Sequence, residues 1–263
     1  MELIEAGGRM IAYRRTGAGD PLVLLHGAWS DGREWRPQLT GLSDEFDVIA
    51  WDAPGCGESD DPPPGTDMTA YADGVADLAA ALELGPAHVC GLSFGGGLAL
   101  EVYRRHPRLV QSLVLASAYA GWRGSLPPEE VAARLARARR ELDLPPSTWI
   151  DSYLPGFFAR PVPPETLDLV RSMMLDVRAT GTRPMLAAFA DADLRAVLPT
   201  IAVPTLLIHG AADVRAPRPV AEALHAAIPN SELVLLPDVG HQCNLEAPEP
   251  LNAELRRFLH AVV

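Results

Sequence analysis

A series of short, unbroken apolar runs, each closed by turn-forming residues, constrains this chain more than any other feature. The runs are LVLL at 22–25, VIAW at 48–51, HVCG at 88–91, LVLA at 113–116, TLLI at 205–208 and LVLL at 233–236. A strand with one face in water alternates apolar and polar residues, whereas a strand covered on both faces does not have to. Stretches of this length bounded by turn signals are therefore predicted as buried strands of a parallel sheet. Residues 10–15 alternate more and are expected to form an antiparallel edge hairpin with residues 3–5. Helical spacing fills the gaps between runs, and strand alternating with helix predicts a doubly wound α/β sheet.

The helical segments have recognisable ends. Residues 67–84 place Met68, Tyr71, Val75, Leu78 and Leu82 at helical spacing, with Thr66 or Asp67 as N-cap and Gly85-Pro86 as the stop. Residues 98–106 read as a helix ending before Pro107, and 251–259 as a closing amphipathic helix. The rhythm breaks from 121 to 198, where no strand pattern appears. Helical stretches at 128–142 and 165–177 are punctuated there by PP, PG and PVPP, over a length no ordinary loop has. We therefore predict a helical cap, 121–198, inserted in a core of 1–120 and 199–263. Its Trp122, Trp149, Tyr153, Phe157, Phe158, Met173, Met174 and Phe189 either line an apolar pocket or form the cap's own core. DDPPPG at 60–65 reads as a surface turn.

Composition excludes several classes of function. The net charge of -12 argues against nucleic acid or an anionic membrane as partner. All 22 basic residues are arginine, which removes Schiff-base chemistry, pyridoxal phosphate attachment and the P-loop lysine together. Cys56, Cys90 and Cys243 lack CxxC spacing, so neither a disulfide framework nor a zinc site is expected. MELIEAGGRM has no basic start followed by a long apolar run, and no segment has the length of a membrane span. The expectation is a cytoplasmic protein, monomeric or homodimeric, that acts on a small molecule and needs no metal or organic cofactor.

The stretch CGLSFGGG at 90–97 carries the chemistry. Gly91-Leu92-Ser93-Phe94-Gly95 has the Gly-x-Ser-x-Gly form of a nucleophile elbow, in which the serine projects from a strained strand-to-helix corner. A phosphate loop would need a lysine or glycines at other spacings. The pentapeptide alone is common by chance, but here it follows an apolar strand and precedes a helical pattern. A serine hydroxyl needs a base, and the base an acid to orient it. After TLLI comes HGAADVRAP, which places Asp213 at a strand end; after LVLL comes PDVGHQCNLEAP, which places His241 likewise. The order Ser93, Asp213, His241 completes the expected arrangement. Strand 22–25 runs into His-Gly, so the backbone N–H groups of Ala28 and Phe94 are the candidate oxyanion hole, where one donor is typically worth ~3–4 kcal/mol. Trp29 is either a wall of the acyl pocket or loop packing. His26, Asp52 and His209 read as structural. His88, His106, His225 and His260 have no acidic or nucleophilic neighbour in sequence, and Asp191, Asp193 and Asp238 fit the acid's place less well than Asp213. Cys90 reads as a buried residue.

Through LLHGAW, DAPGCGESD, CGLSFGG, PTLLIHGAADVRAP and GHQCNLEAP the chain resembles the α/β-hydrolase superfamily over essentially its whole length. It is most similar to the branch holding esterases, enol-lactonases and cofactor-free haloperoxidases. The resemblance implies the α/β-hydrolase fold, a helical cap and the triad roles. Serine at position 93 disfavours haloalkane dehalogenases and epoxide hydrolases, which need a carboxylate there. HGAWSDG departs from the glycine-rich oxyanion stretch of the carbon–carbon hydrolases, and Phe94 from the tryptophan of prolyl aminopeptidases. The expected activity is cleavage of a small or medium hydrophobic ester or lactone, with Trp29, Trp122, Phe157 and Phe158 as candidate substrate contacts. The alternatives are carbon–carbon bond hydrolysis, perhydrolase or haloperoxidase action, and a ligand receptor on the same fold.

Overall fold

The computed structural model describes residues 1–262. Each predicted apolar run is a strand: β1 (Glu2–Ala6), β2 (Arg9–Thr16), β3 (Asp20–Leu25), β4 (Phe46–Trp51), β5 (Ala87–Leu92), β6 (Val110–Ala116), β7 (Thr205–Gly210) and β8 (Ser231–Leu236). They form one sheet in the order β1-β2-β4-β3-β5-β6-β7-β8. The hairpin of β1 and β2 lies at one edge, β2 pairs antiparallel with β4, and every later pairing is parallel.

Helices cover both faces, which is why the central strands can be apolar throughout. Leu22, Leu24, Val48, Ala50, Leu206 and Ile208 face one layer, where they meet Trp35, Leu251, Leu255 and Phe258. Val23, Leu25, Ile49, Val89, Leu113 and Leu207 face the other. The first layer is built by α1 (Arg36–Leu42) and, at the end of the chain, by the amphipathic helix over Pro248–Ala261. The second is built by α2 (Met68–Ala81) and α3 (Phe94–Arg105). Asp67 caps α2, accepting the Ala70 N–H at 2.9 Å, and the helix buries Met68, Tyr71, Val75 and Leu78. α3 begins at Phe94, four residues before the predicted start at 98. Its glycines are kept helical by close packing: a Cβ on Gly97 would come 2.6 Å from the Phe189 ring.

Residues 121–198 contain only helical elements: α4 (Trp122–Ser125), α5 (Pro128–Glu141), α6 (Leu154–Phe157), α7 (Pro164–Leu175), α8 (Ala179–Asp191) and short 3-10 turns. Sequence reading did not find α8, because Gly181 and Pro184 lie inside it and break its propensity. Packing overrides that deficit, since α8 buries Met185, Leu186 and Phe189 and sets Gly181 against the backbone of Gly55. Beyond this segment come α9 (Arg218–Ala227), α10 (Cys243–Glu246) and α11 (Pro248–Ala261). No described helix is long and apolar enough to cross a membrane.

Candidate active site

One residue, Ser93, separates β5 from α3, and its backbone reverses there with φ 54° and ψ -108°. That left-handed conformation costs a non-glycine residue about 1–3 kcal/mol and persists only where neighbours enforce it. The neighbours are visible. Ser93 donates its N–H to the Ala116 carbonyl at 2.9 Å, and its own carbonyl accepts the N–H groups of Gly96 and Gly97 at 3.1 and 3.2 Å. Strand and helix also press together, so that a Cβ on Gly91 would sit 2.0 Å from the Gly95 oxygen, and one on Gly95 2.0 Å from the Leu25 oxygen. The main chain is thereby pinned and the side chain left at a cavity beyond the carboxyl ends of the strands.

Asp213 lies in the turn that follows β7, and His241 in the turn that follows β8. The Asp213 Oδ1 accepts the N–H groups of Arg215 and Ala216 at 2.8 and 2.9 Å, and Oδ2 pairs with His241 Nδ1 at 2.8 Å. Burial works to raise the pKa of this carboxyl, but the His241 ring and the two N–H donors outweigh it and hold it below the usual carboxylate range. An ionised Asp213 accepts a hydrogen bond from Nδ1–H of the ring, which keeps the proton on Nδ1 and leaves Nε2 as the acceptor. His241 and Ser93 border the same cavity, of about 20 Å³. The turns on either side of the ring are tied down as well: Gly240 donates to Glu246 Oε2 at 2.6 Å, and Gln242 to the Phe157 carbonyl at 2.9 Å.

β3 lies beside β5 with Leu25 opposite Gly91, so the turn after β3 arrives next to Ser93. A Cβ on Gly27 would lie 3.7 Å from that of Ser93. His26 knots this turn in place, donating from Nδ1 to the Gly27 carbonyl at 2.7 Å and accepting the Ala53 N–H on Nε2 at 2.9 Å. Burial lowers its pKa, so it stays neutral. Glu34 accepts the Gly27 N–H at 2.8 Å, and burial pushes its carboxyl up to about 8. Ala28 borders the cavity, and Phe94 sits at the start of α3 with its ring packed on Tyr71 and Phe189.

The sequence profile of the alpha/beta hydrolase family matches residues 22–254. The chain belongs to the α/β-hydrolase family. Among solved structures it is similar to a thermophilic esterase from Thermogutta terrifontis, with 30% identity, 99% of this chain and 98% of that one covered, and a TM-score of 0.91. It is similar also to an enol-lactonase from Burkholderia xenovorans LB400, with 27% identity, coverage of 98% and 100%, and a TM-score of 0.88. A bromoperoxidase from Bacillus anthracis resembles it with 25% identity, coverage of 98% and 99%, and a TM-score of 0.90.

In this α/β hydrolase, Trp29, Trp122 and Phe157 of the candidate contacts line the cavity, and Phe158 does not. Phe158 closes the last turn of α6, and its partly buried side chain packs against the hydrophobic core. Trp29, in a left-handed conformation with φ 67°, is packed by Trp149 and Tyr153 at ring distances of 5.1 and 5.3 Å. Tyr119, Arg134, Arg215 and Gln242 also border the cavity, and none was a candidate in the sequence. Arg215 was within reach, two residues after Asp213 in HGAADVRAP; Arg134, one of several arginines along α5, carries no local signal.

The remaining candidates fall outside the site. His209 is buried, and burial pulls its pKa down to about 4, with Nδ1 lacking a partner. His106 and His260 do have acidic partners, Asp73 and Glu45, brought to them by folding at the surface. All three cysteines are buried free thiols, and burial pushes Cys243 up to about 12. A larger cavity, about 1150 Å³ between α5 and α8, borders neither Ser93 nor His241.

Proposed function

We propose that this protein is a serine hydrolase that cleaves a small or medium carboxylic ester or lactone through an acyl-enzyme. The carrying observation is a strained Ser93 on one small cavity with a His241 ring already oriented by a buried Asp213. Nε2 of His241 takes the hydroxyl proton as Ser93 Oγ attacks the carbonyl carbon, and Asp213 stabilises the imidazolium that results. The N–H groups of Ala28 and Phe94 face the developing oxyanion, aided by the positive end of the α3 dipole. The ring then protonates the departing alcohol oxygen. Water, deprotonated by the same nitrogen, attacks the acyl-enzyme, and the acid leaves as Ser93 regains its proton. Esterase and enol-lactonase structures among the similar proteins support this substrate class. Residues 121–198 act as the cap, and with a cavity of about 20 Å³ the cap side chains must move apart for substrate to enter.

A fluorophosphonate probe is expected to label Ser93, and Ser93→Ala to abolish both labelling and p-nitrophenyl acetate turnover. Labelling of the alanine variant at another residue, with turnover retained, would refute the assignment.

A further inference from the structure

Two charged side chains border the Ser93 cavity, Arg134 and Arg215, and both are cations. No Asp or Glu among the described residues borders it, although the protein as a whole carries a net charge of -12. A positively lined chamber in an acidic protein is a local arrangement, not a consequence of composition.

The two arginines differ in what they already bind. Arg134 is largely engaged, with Nη2 on Glu130 at 2.5 Å and on the Arg215 carbonyl at 2.9 Å, and Nη1 on the Tyr119 hydroxyl at 3.1 Å. The Arg215 guanidinium makes no ion pair or side-chain hydrogen bond among the described residues. Its nearest acid in sequence, Asp213, is committed to His241 and to the Arg215 and Ala216 N–H groups. Arg215 is held instead against the Tyr153 and Phe157 rings, 5.4 and 5.1 Å from its guanidinium carbon. Arg36, Arg108, Arg139 and Arg140 also lack an acid partner but stand in solvent, where water serves them, and Arg9, half-buried without an acid partner, does not border the Ser93 cavity.

The mount is rigid. The Arg215 N–H is fixed on Asp213, and its carbonyl accepts from both Tyr119 and Arg134. Burial depresses the guanidinium pKa, the sign of a charge partly stripped of water without a compensating anion. A planar guanidinium in that state matches a carboxylate bidentately.

On the serine hydrolase reading above, we propose that the substrate is an ester or lactone bearing a free carboxylate a few bonds from the scissile carbonyl, bound by Arg215 with Arg134 behind it. The carboxylate sits on the arginine side while the carbonyl meets Ser93. The small cavity favours a short acyl chain, as in a monoester of a C4 or C5 dicarboxylic acid.

The test compares monomethyl succinate with methyl butyrate, which has the same four-carbon chain without the charge, by methanol release. It also measures succinate binding to wild-type and Ser93→Ala protein by calorimetry. A charge-assisted hydrogen bond contributes ~1.5–3 kcal/mol, so wild type should favour the anionic ester by about tenfold or more in kcat/KM. Arg215→Met should erase that ratio and weaken succinate binding by a similar factor. Arg215→Lys should restore part of both, which separates charge from a folding defect. Arg218→Met, which removes an exposed arginine paired with Glu222, should leave succinate binding unchanged. Equal succinate binding by wild type and Arg215→Met, or none by Ser93→Ala, overturns the proposal. Failure of Ser93 to react with fluorophosphonate while Arg215-dependent succinate binding persists would overturn the hydrolase reading alone.

Discussion

Glu246 is expected to hold the base and the cap together. Its carboxylate, with a side chain fully excluded from solvent, accepts three backbone N–H groups: Gly240 on Oε2 at 2.6 Å, and Ala159 and Arg160 on Oε1 at 3.0 and 2.9 Å. Gly240 precedes His241, while Ala159 and Arg160 follow the Phe157 that lines the cavity. Glu246→Ala would leave one buried and two part-buried donors without their acceptor. Each such loss costs about 1–3 kcal/mol, and water entering the vacated volume recovers part of it, so we expect about 3 kcal/mol in total. Near the melting temperature that is roughly 6–12 °C for a domain of this size. Glu246→Gln keeps one oxygen and turns an NH2 toward at least one N–H donor, so it should lose less than the alanine variant.

Guanidinium chloride midpoints with unchanged slope would give the stability order wild type, Gln, Ala. Hydrogen exchange should accelerate at the amides of residues 159, 160 and 240 in the alanine variant. Turnover of p-nitrophenyl acetate should fall further than the residual folded fraction explains, because the loop carrying His241 has lost an anchor. If Glu246→Ala costs under about 1 kcal/mol and those amides remain protected, the carboxylate is not what fastens the loop to the cap.

Two further outcomes follow from particular contacts. Glu34 is protonated in the fold up to about pH 8 but releases its proton near 4.5 when unfolded, so between those values the folded state binds one more proton and stability falls as pH rises, by at most ~1.4 kcal/mol per pH unit. Glu34→Gln, which keeps an acceptor for Gly27, should gain on wild type across that window and hold a constant offset below it; a melting-temperature difference that stays flat from pH 5 to 8 would contradict this. Gly95→Ala should yield little soluble protein, since its Cβ would meet the Leu25 and His26 carbonyl oxygens at 2.0 and 2.8 Å, whereas Gly85→Ala, with nothing within 4 Å, should stay within about 0.5 kcal/mol of wild type in denaturant titrations.

Sequence patterns made the sheet legible because burial on both faces leaves an unbroken apolar run, and six such runs are six strands. Ser93, Asp213 and His241 were legible for a related reason: each lies in the turn or corner directly following a recognisable strand. The limits were equally physical. α8 was hidden because Gly181 and Pro184 serve tertiary packing against local propensity, and the start of α3 because its glycines are chosen for closeness to β3 and β5. Arg134 and Phe158 mark the same boundary at the site. Whether a side chain in residues 121–198 faces the cavity depends on how its helix is rotated over the sheet, and periodicity alone does not fix that rotation.

The supports of the site are linked. A strained serine, a buried carboxylate and a cation without a counterion among the described residues are each unfavourable alone, and each is held by hydrogen bonds that involve the main chain. Ser93 is fixed by β6 and by glycines of α3, Asp213 by the peptide N–H groups after it, and Arg215 by Asp213, Tyr119 and Arg134. Arg215 N–H and Asp213 Oδ1 share one hydrogen bond, so the segment that orients the His241 ring also positions the arginine. A substrate carboxylate that settled on Arg215 would therefore be registered against the same turn that holds the base. Recognition of the charge and alignment of the scissile carbonyl would then be fixed by one piece of backbone, and loosening it should raise KM for the anionic ester and lower kcat together.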